Sequence, residues 1–277
     1  MTLLDSRTGL FLPQVAGVLV TALVALVSAE ESGINGSPEL IPVFACLLGM
    51  TLWWSSEQER RPSQADRWIA ILLALLFLIP SHQLGWLSLV LMTIWLSGSG
   101  KNSPRVRNAL LIIGLASLQP LLVTYLLKWF AAPVLTFDAI LVSSLLKFTT
   151  GVGEHSGNIV YGPAAHQLLI LRGCSSVTNL GSAWLVWFAV SRFRGITLNR
   201  RELMVVALLT LFMVGLNLLR LYSMAVDLHW HHWWHSDEGG QIYQLACACV
   251  LLITILLGVR YAGLHHQTTA IPVRHGD

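Results

Sequence analysis

Charges, glycines and prolines divide this chain into eight apolar stretches: Leu10–Ser28, Leu40–Trp54, Trp68–Pro80, Leu84–Ser97, Val106–Ala131, Ser176–Phe193, Glu202–Leu221 and Gly240–Val259. Each is apolar on all sides, the pattern of a helix that meets lipid or protein and never water. Of the 277 residues, 55% are hydrophobic and 11% charged, against about 25% charged in soluble domains. Mean hydropathy is +0.65. These values exclude an ordinary soluble domain, a disordered chain, a collagen-like fibre and a nucleic-acid-binding module. A net charge of +3 implies no polyanionic partner, and four cysteines form no disulfide framework. The expected fold is an all-α polytopic membrane protein of about eight transmembrane helices. Residues 1–277 form a single integral membrane domain whose first partner is the lipid bilayer.

The third and fourth stretches are short. Thirteen residues reach about 20 Å, against a hydrocarbon core of about 30 Å. They read as two spans or as one helix kinked through Pro80. Charge decides. With the N-terminus inside and eight spans, the inside set is Arg7, Arg60, Arg61, Arg67, Lys101, Arg105, Arg107, Arg192, Arg194, Arg200, Arg201, Arg260 and Arg274, or 13 of the 17 Lys and Arg. Lys128, Lys147, Arg172 and Arg220 are the 4 outside. Fusing the two short spans would expose the Arg192–Arg201 cluster outside. Eight spans with both ends cytoplasmic is therefore the expected topology. Val27-Ser28-Ala29 resembles a signal cleavage site, but Asp5 offsets Arg7 in the n-region, so the first span is read as a retained helix.

Two outside segments stand out. Ala132–Ser175 opens with Phe137, Ile140, Leu141 and Leu145, a stripe at helical spacing that predicts a short helix lying on the membrane. Two extended runs follow, Asn158–Tyr161 and Gln167–Leu171, with a hairpin expected over Gly162-Pro163. Residues 132–175 thus form a small extracytoplasmic α/β-like insertion before the sixth span, and it delivers the chain to Cys174. The other segment, Val226–Gly239, reads as a polar, aromatic interfacial loop. It holds Trp230, Trp233 and Trp234 among His229, His231, His232 and His235.

Three residues at the outer ends of the last three spans carry chemistry. Cys46, Cys247 and Cys249 lie inside spans, where a thiol is an inert small hydrophobe. Cys174 lies outside, alone, at the start of a helix whose dipole and free N–H groups favour a thiolate. It is a nucleophile or a packing cysteine. Arg220 is an ionisable group near the outer end of the seventh span. It snorkels, or it serves a site with Asn217, one turn away on the same face. His231 and His235 have i,i+4 spacing, but His232 occupies the glutamate position of a His-Glu-x-x-His site. No metal is therefore assigned, although Asp227, Asp237 and Glu238 are potential oxygen ligands. His235 is fixed at the membrane surface by Gly239, which opens the last span. A thiol, an imidazole and a guanidinium at one boundary suit acyl transfer, as nucleophile, proton carrier and oxyanion holder.

Cys174 in Gly-Cys-Ser-Ser, Asn217-x-x-Arg220 and His235-x-x-x-Gly239, with the eight-span layout, resemble the exosortase/archaeosortase family. The resemblance runs from about Phe137 to Arg260 and includes the approach Gly157-Asn158-Ile159 to Leu168–Leu171. Where that family often reads Cys-Ser-Gly, Ser176 replaces the glycine. The resemblance implies a membrane-embedded cysteine protease or transpeptidase of the cell inner membrane, its site facing the periplasm or outside. Its substrates would be membrane-anchored proteins whose C-terminal sorting tails carry a short motif such as Pro-Glu-Pro, a transmembrane helix and a basic cluster. Such enzymes often accompany exopolysaccharide production. By that resemblance Cys174 is the nucleophile, Arg220 stabilises the transition state and His235 transfers protons, with no cofactor and no nucleic acid. The acceptor that resolves the thioester is not specified. The alternative is a non-enzymatic transporter or a polysaccharide-export assembly subunit. A transporter places ionisable groups near the midplane, whereas here they gather at one face.

Overall fold

A computed structural model of the protein describes residues 13–20, 40–56, 62–79, 81–98, 102–163 and 166–263. Helices dominate: α1 (13–20), α2 (Leu40–Trp54), α3 (Gln64–Ala74), α4 (His82–Gly98), α5 (Pro104–Trp129), α6 (Ala131–Thr150), α7 (Ser176–Phe193), α8 (Arg200–Val226), α9 (Leu228–His235) and α10 (Asp237–Gly263). A 3₁₀ turn, Leu75–Leu78, extends α3. Polar residues start these helices where the sequence turns from polar to apolar. Ser63 and Asp66 form a reciprocal capping box on α3, Ser103 caps α5 ahead of Pro104, and Asn199 caps α8. Among the described residues, four helices are long and apolar enough to cross a membrane: Pro104–Trp129, Ala131–Thr150, Arg200–Val226 and Asp237–Ala262. Leu40–Trp54 and Gln83–Gly98 are shorter apolar helices. The protein is thus an all-α membrane protein at the level of class.

Side-chain bonds fix how the helices run. Trp95 Nε1 donates to Asp66 Oδ1 at 2.9 Å and Ser88 Oγ to the Leu73 carbonyl at 3.0 Å. The start of α3 therefore faces the end of α4, and the two form an antiparallel hairpin, not one kinked helix. Asn108 of α5 bonds the Arg192 carbonyl at the far end of α7, and Gly181 of α7 packs on Gln119 and Val123. Trp184 Nε1 donates to Thr210 Oγ1 at 2.9 Å, while Arg192 pairs with the buried Glu202, so α7 and α8 are antiparallel. Arg201 reaches the Tyr261 carbonyl, and Tyr243 meets Asn217 at the other end, so α10 is antiparallel to α8. Small residues let helices approach in a setting where lipid gives apolar surface no reason to hide. A Cβ on Gly49 of α2 would lie 2.6 Å from Ile113 of α5.

These pairings sort the charges. Arg67, Arg105, Arg107, Arg192, Arg194, Arg200, Arg201 and Arg260 fall at one end of the bundle, while Lys128, Lys147, Arg172 and Arg220 fall at the other. The same two groups emerge from counting charge along the sequence. Arg7, Arg60, Arg61, Lys101 and Arg274 lie outside the described residues, as do Pro80 and most of the Leu10–Ser28 stretch.

At the second end sits a three-stranded antiparallel sheet, β1 (Glu154–Ser156), β2 (Ile159–Tyr161) and β3 (Gln167–Leu169), in that order. Val160 pairs with Leu168, and both are buried against α6 and the end of α8. The β1–β2 turn has two residues, Gly157 and Asn158, with Gly157 at φ +57°. That value is in the left-handed region, which glycine enters without steric cost.

The structure redraws several boundaries. The helix expected around Phe137–Leu145 extends over Ala131–Thr150 and follows α5 after the single residue Phe130. Its buried side chains Leu135, Ala139, Val142 and Leu146 pack on Val160, Leu168, Leu221, Met224 and Ala225, all at one end of the bundle. Strand β1 was not foreseen, because Glu154-His155-Ser156 is fully polar and exposed on both faces. The expected loop Val226–Gly239 holds a helix, α9, capped by Asp227, whose side chain accepts from the His229 N–H at 2.7 Å. Helix α10 begins at Asp237, three residues before the expected start.

Candidate functional site

Cys174 ends a 3₁₀ turn, Arg172–Cys174, between β3 and α7. Two bonds zip the approach to it: Ile170 N–H to the Asn158 carbonyl at 2.9 Å, and Asn158 Nδ2 to the Ile170 carbonyl at 2.8 Å. The Cys174 N–H then donates to the Leu171 carbonyl at 2.9 Å. The residue is 8% exposed and belongs to the apolar cluster of Leu168, Ile170 and Leu221.

The start of α7 departs from the expected free N-terminus. Ser175 is the N-cap, and its Oγ accepts from the Val177 N–H at 3.3 Å. The Ser176 N–H (3.4 Å) and Oγ (2.8 Å) donate to the two carboxylate oxygens of Asp138 on α6. These amides are therefore engaged, and a buried carboxylate already complements the helix dipole there. Ser176 is what ties α7 to α6.

Asn217 and Arg220 sit on one face of α8, as their spacing implies. Asn217 is buried, and its Nδ2 donates to the Cys174 carbonyl at 3.0 Å. The Arg220 guanidinium lies over the ring of Tyr243, with Cζ 4.7 Å from the centroid. Its Nε is buried without a hydrogen-bond partner.

His235 ends α9. Its Nδ1 lies 2.8 Å from the His231 carbonyl, which can only accept, so Nδ1 carries the proton. In the neutral ring Nε2 is then the free base. Gly239 allows this placement. A Cβ there would lie 2.1 Å from the Trp233 carbonyl oxygen, where α9 folds onto the start of α10. The indole of Trp234 donates to Ser223 Oγ at 2.6 Å and pins α9 to α8.

Arg220 and His235 line one cleft of about 610 Å³ with Gly173, Asn179, Trp234, Ser236, Asp237, Gln241, Tyr243 and Gln244 among its walls. The structure thus brings together the arginine and the imidazole. The cleft reaches Gly173, one residue before Cys174, and the Cys174 side chain packs in the neighbouring apolar cluster. Among the described residues, no three His, Cys, Asp or Glu side chains are grouped to hold a metal. His231 instead packs among His166, His232 and His235, with ring centroids 5.7, 5.7 and 4.6 Å away. Burial first, then these three imidazoles, hold His231 below the ordinary imidazole pKa.

Sequence reasoning missed Asn179, Tyr243, Asp138 and His166. Asp138 carried a legible signal, being the one acid within the apolar stripe of α6. His166 and Asn179 carried none. Comparison with known proteins finds no family model, no curated relative and no solved structure that matches the chain.

Proposed function

We propose that the protein is a membrane-embedded cysteine protease or transpeptidase that cleaves C-terminal sorting tails at the outer face of an inner membrane. The observation that carries this reading is the cleft in which Arg220 and His235 meet beside the loop that bears Cys174. The Cys174 thiolate attacks the scissile carbonyl of the tail. Arg220, which lines the cleft, faces the developing oxyanion with its guanidinium. His235 Nε2 takes the thiol proton and gives it to the leaving amine, so that an amide and a thiol become a thioester and an amine. An acceptor amine or water then attacks the thioester and releases the thiol.

In this reading the arginine-rich end of the bundle is cytoplasmic, the spans number eight, and both termini are cytoplasmic. Residues 132–175 form the extracytoplasmic insertion, with α6 lying at the membrane surface. Support for that placement of α6 is its packing on the small sheet and on the last turns of α8 within one apolar cluster. The substrate's tail enters the cleft where its own transmembrane helix emerges from lipid.

The test is co-expression with a secreted reporter that ends in a Pro-Glu-Pro motif, one transmembrane helix and a basic cluster. Wild-type protein should shorten the reporter, while Cys174→Ala, Arg220→Ala and His235→Ala should leave it intact. Normal shortening by Cys174→Ala would overturn the enzyme and favour a transport or export-assembly subunit.

A further inference from the structure

Three helices and the Cys174 loop are joined by a chain of hydrogen bonds that runs through one phenol. The Cys174 carbonyl can only accept, so the amide nitrogen of Asn217 faces it, at 3.0 Å. That orientation leaves Asn217 Oδ1 as an acceptor, and the Tyr243 hydroxyl donates to it at 3.1 Å. Having given its single proton, the Tyr243 oxygen accepts from Asn179 Nδ2, also at 3.1 Å. The three bonds share one direction, from α7 through α10 and α8 to the backbone of Cys174, and Cys247 also lies beside the Tyr243 hydroxyl. Both Asn217 and Tyr243 are buried, where such a network has little competition from water.

The same Tyr243 supports Arg220. Its ring lies 4.7 Å from the guanidinium carbon. An aromatic face holds a cation without consuming its N–H donors or cancelling its charge. A carboxylate in that place would do both. The partnerless Nε of Arg220 accords with this kind of support.

We infer that Tyr243 is a positioning residue that sets the nucleophile loop through its hydroxyl and Asn217, and sets Arg220 through its ring. This inference rests on the acyl-transfer reading of the site. Tyr243 lines the cleft but, in this account, neither attacks nor polarises the scissile carbonyl. It fixes two groups that do, and it couples them, because one side chain holds both.

The test separates ring from hydroxyl in the full-length protein in membranes. Tyr243→Phe keeps the ring and removes the relay. It should lower kcat for tail cleavage about tenfold, the scale of one lost hydrogen bond, with KM nearly unchanged. Tyr243→Leu removes both supports and should approach the loss seen with Arg220→Ala. In an Asn217→Ala background, Tyr243→Phe should cost nothing further, because the relay is already cut. A second readout needs no substrate: maleimide labelling of the Cys174 peptide, followed by mass spectrometry, should be several-fold faster in Tyr243→Phe as the loop loosens. Wild-type kcat in Tyr243→Phe, a full additional loss in the Asn217→Ala background, or an unchanged labelling rate would overturn the inference. Reporter processing by Cys174→Ala would instead overturn the acyl-transfer reading, and the labelling rate would still decide whether the relay holds the loop.

Discussion

The guanidinium of Arg220 rests on an aromatic face and leaves its Nε without a partner. A planar fork can present two donors to one oxyanion, whereas a lysine ammonium is a point charge on a flexible stem. Arg220→Lys should therefore inactivate nearly as fully as Arg220→Ala, by about 10²–10³ in rate. Near-normal reporter cleavage by the lysine variant would mean that only charge at the interface matters. His231 makes a different prediction. Burial, then His235, His166 and His232, hold its pKa below the ordinary value of 6.5, and Asp227 caps the same helix. A lowered imidazole pKa means the unfolded chain binds more protons in the window from 6.5 down to the folded value. The stability His231 confers is thus present above pH 6.5 and declines as pH falls through that window. The melting temperature in detergent should drop as pH falls below 6.5, and His231→Gln should flatten part of that drop. An identical slope in the variant would contradict this.

Helix ends, more than helix middles, decide this architecture. Asp138 accepts two bonds from Ser176 and so joins α6 to the start of α7, one residue after the Ser175 cap. Asp138→Asn leaves volume unchanged but removes the charge that faces the helix dipole. It should cost about 0.5–2 kcal/mol, the range of a lost N-cap, and it should raise protease sensitivity between α6 and α7. An unchanged digestion pattern would mean the pair is incidental. Gly239→Ala brings a methyl group within 2.1 Å of the Trp233 carbonyl oxygen. It should force α9 away from α10, destabilise the protein by about 1–3 kcal/mol and reduce cleavage by displacing His235. These elements were unequally legible. The apolar runs and caps of α5, α7 and α8 stand in the sequence, because lipid demands unbroken apolar helices. Helix α9 did not, since its composition is that of an interfacial loop and its helicity comes from the Asp227 cap and the Trp234–Ser223 bond. Strand β1 was equally hidden: a polar tripeptide pairs only because the Gly157-Asn158 turn returns it to β2.

Across the whole molecule, charge counting along the sequence and helix pairing in three dimensions divide the described cations in the same way. That agreement was available to the sequence because orientation is written in loop arginines. The candidate site was only half legible. Arg220, Asn217 and His235 announced themselves as polar groups at span ends. The residues that hold them, Tyr243 and Asn179, sit inside helices where nothing in the local pattern separates them from packing side chains. The proposed sidedness makes one prediction. A membrane-impermeant thiol reagent added outside should reach Cys174, slowly because it is buried, and should spare Cys46, which is buried among α2 and α5. Labelling of Cys174 only from the cytoplasmic side would reverse the topology and remove the site from its substrate. The central claim is that Cys174 forms a covalent intermediate. The most direct measurement is to purify the protein after co-expression with the tail-bearing reporter, then seek a hydroxylamine-sensitive adduct on the Cys174 peptide by mass spectrometry. The account predicts a thioester to the reporter's new C-terminus, absent in Cys174→Ala and strongly reduced in His235→Ala. A processed reporter with no adduct in wild-type protein, and equal processing by Cys174→Ala, would contradict it.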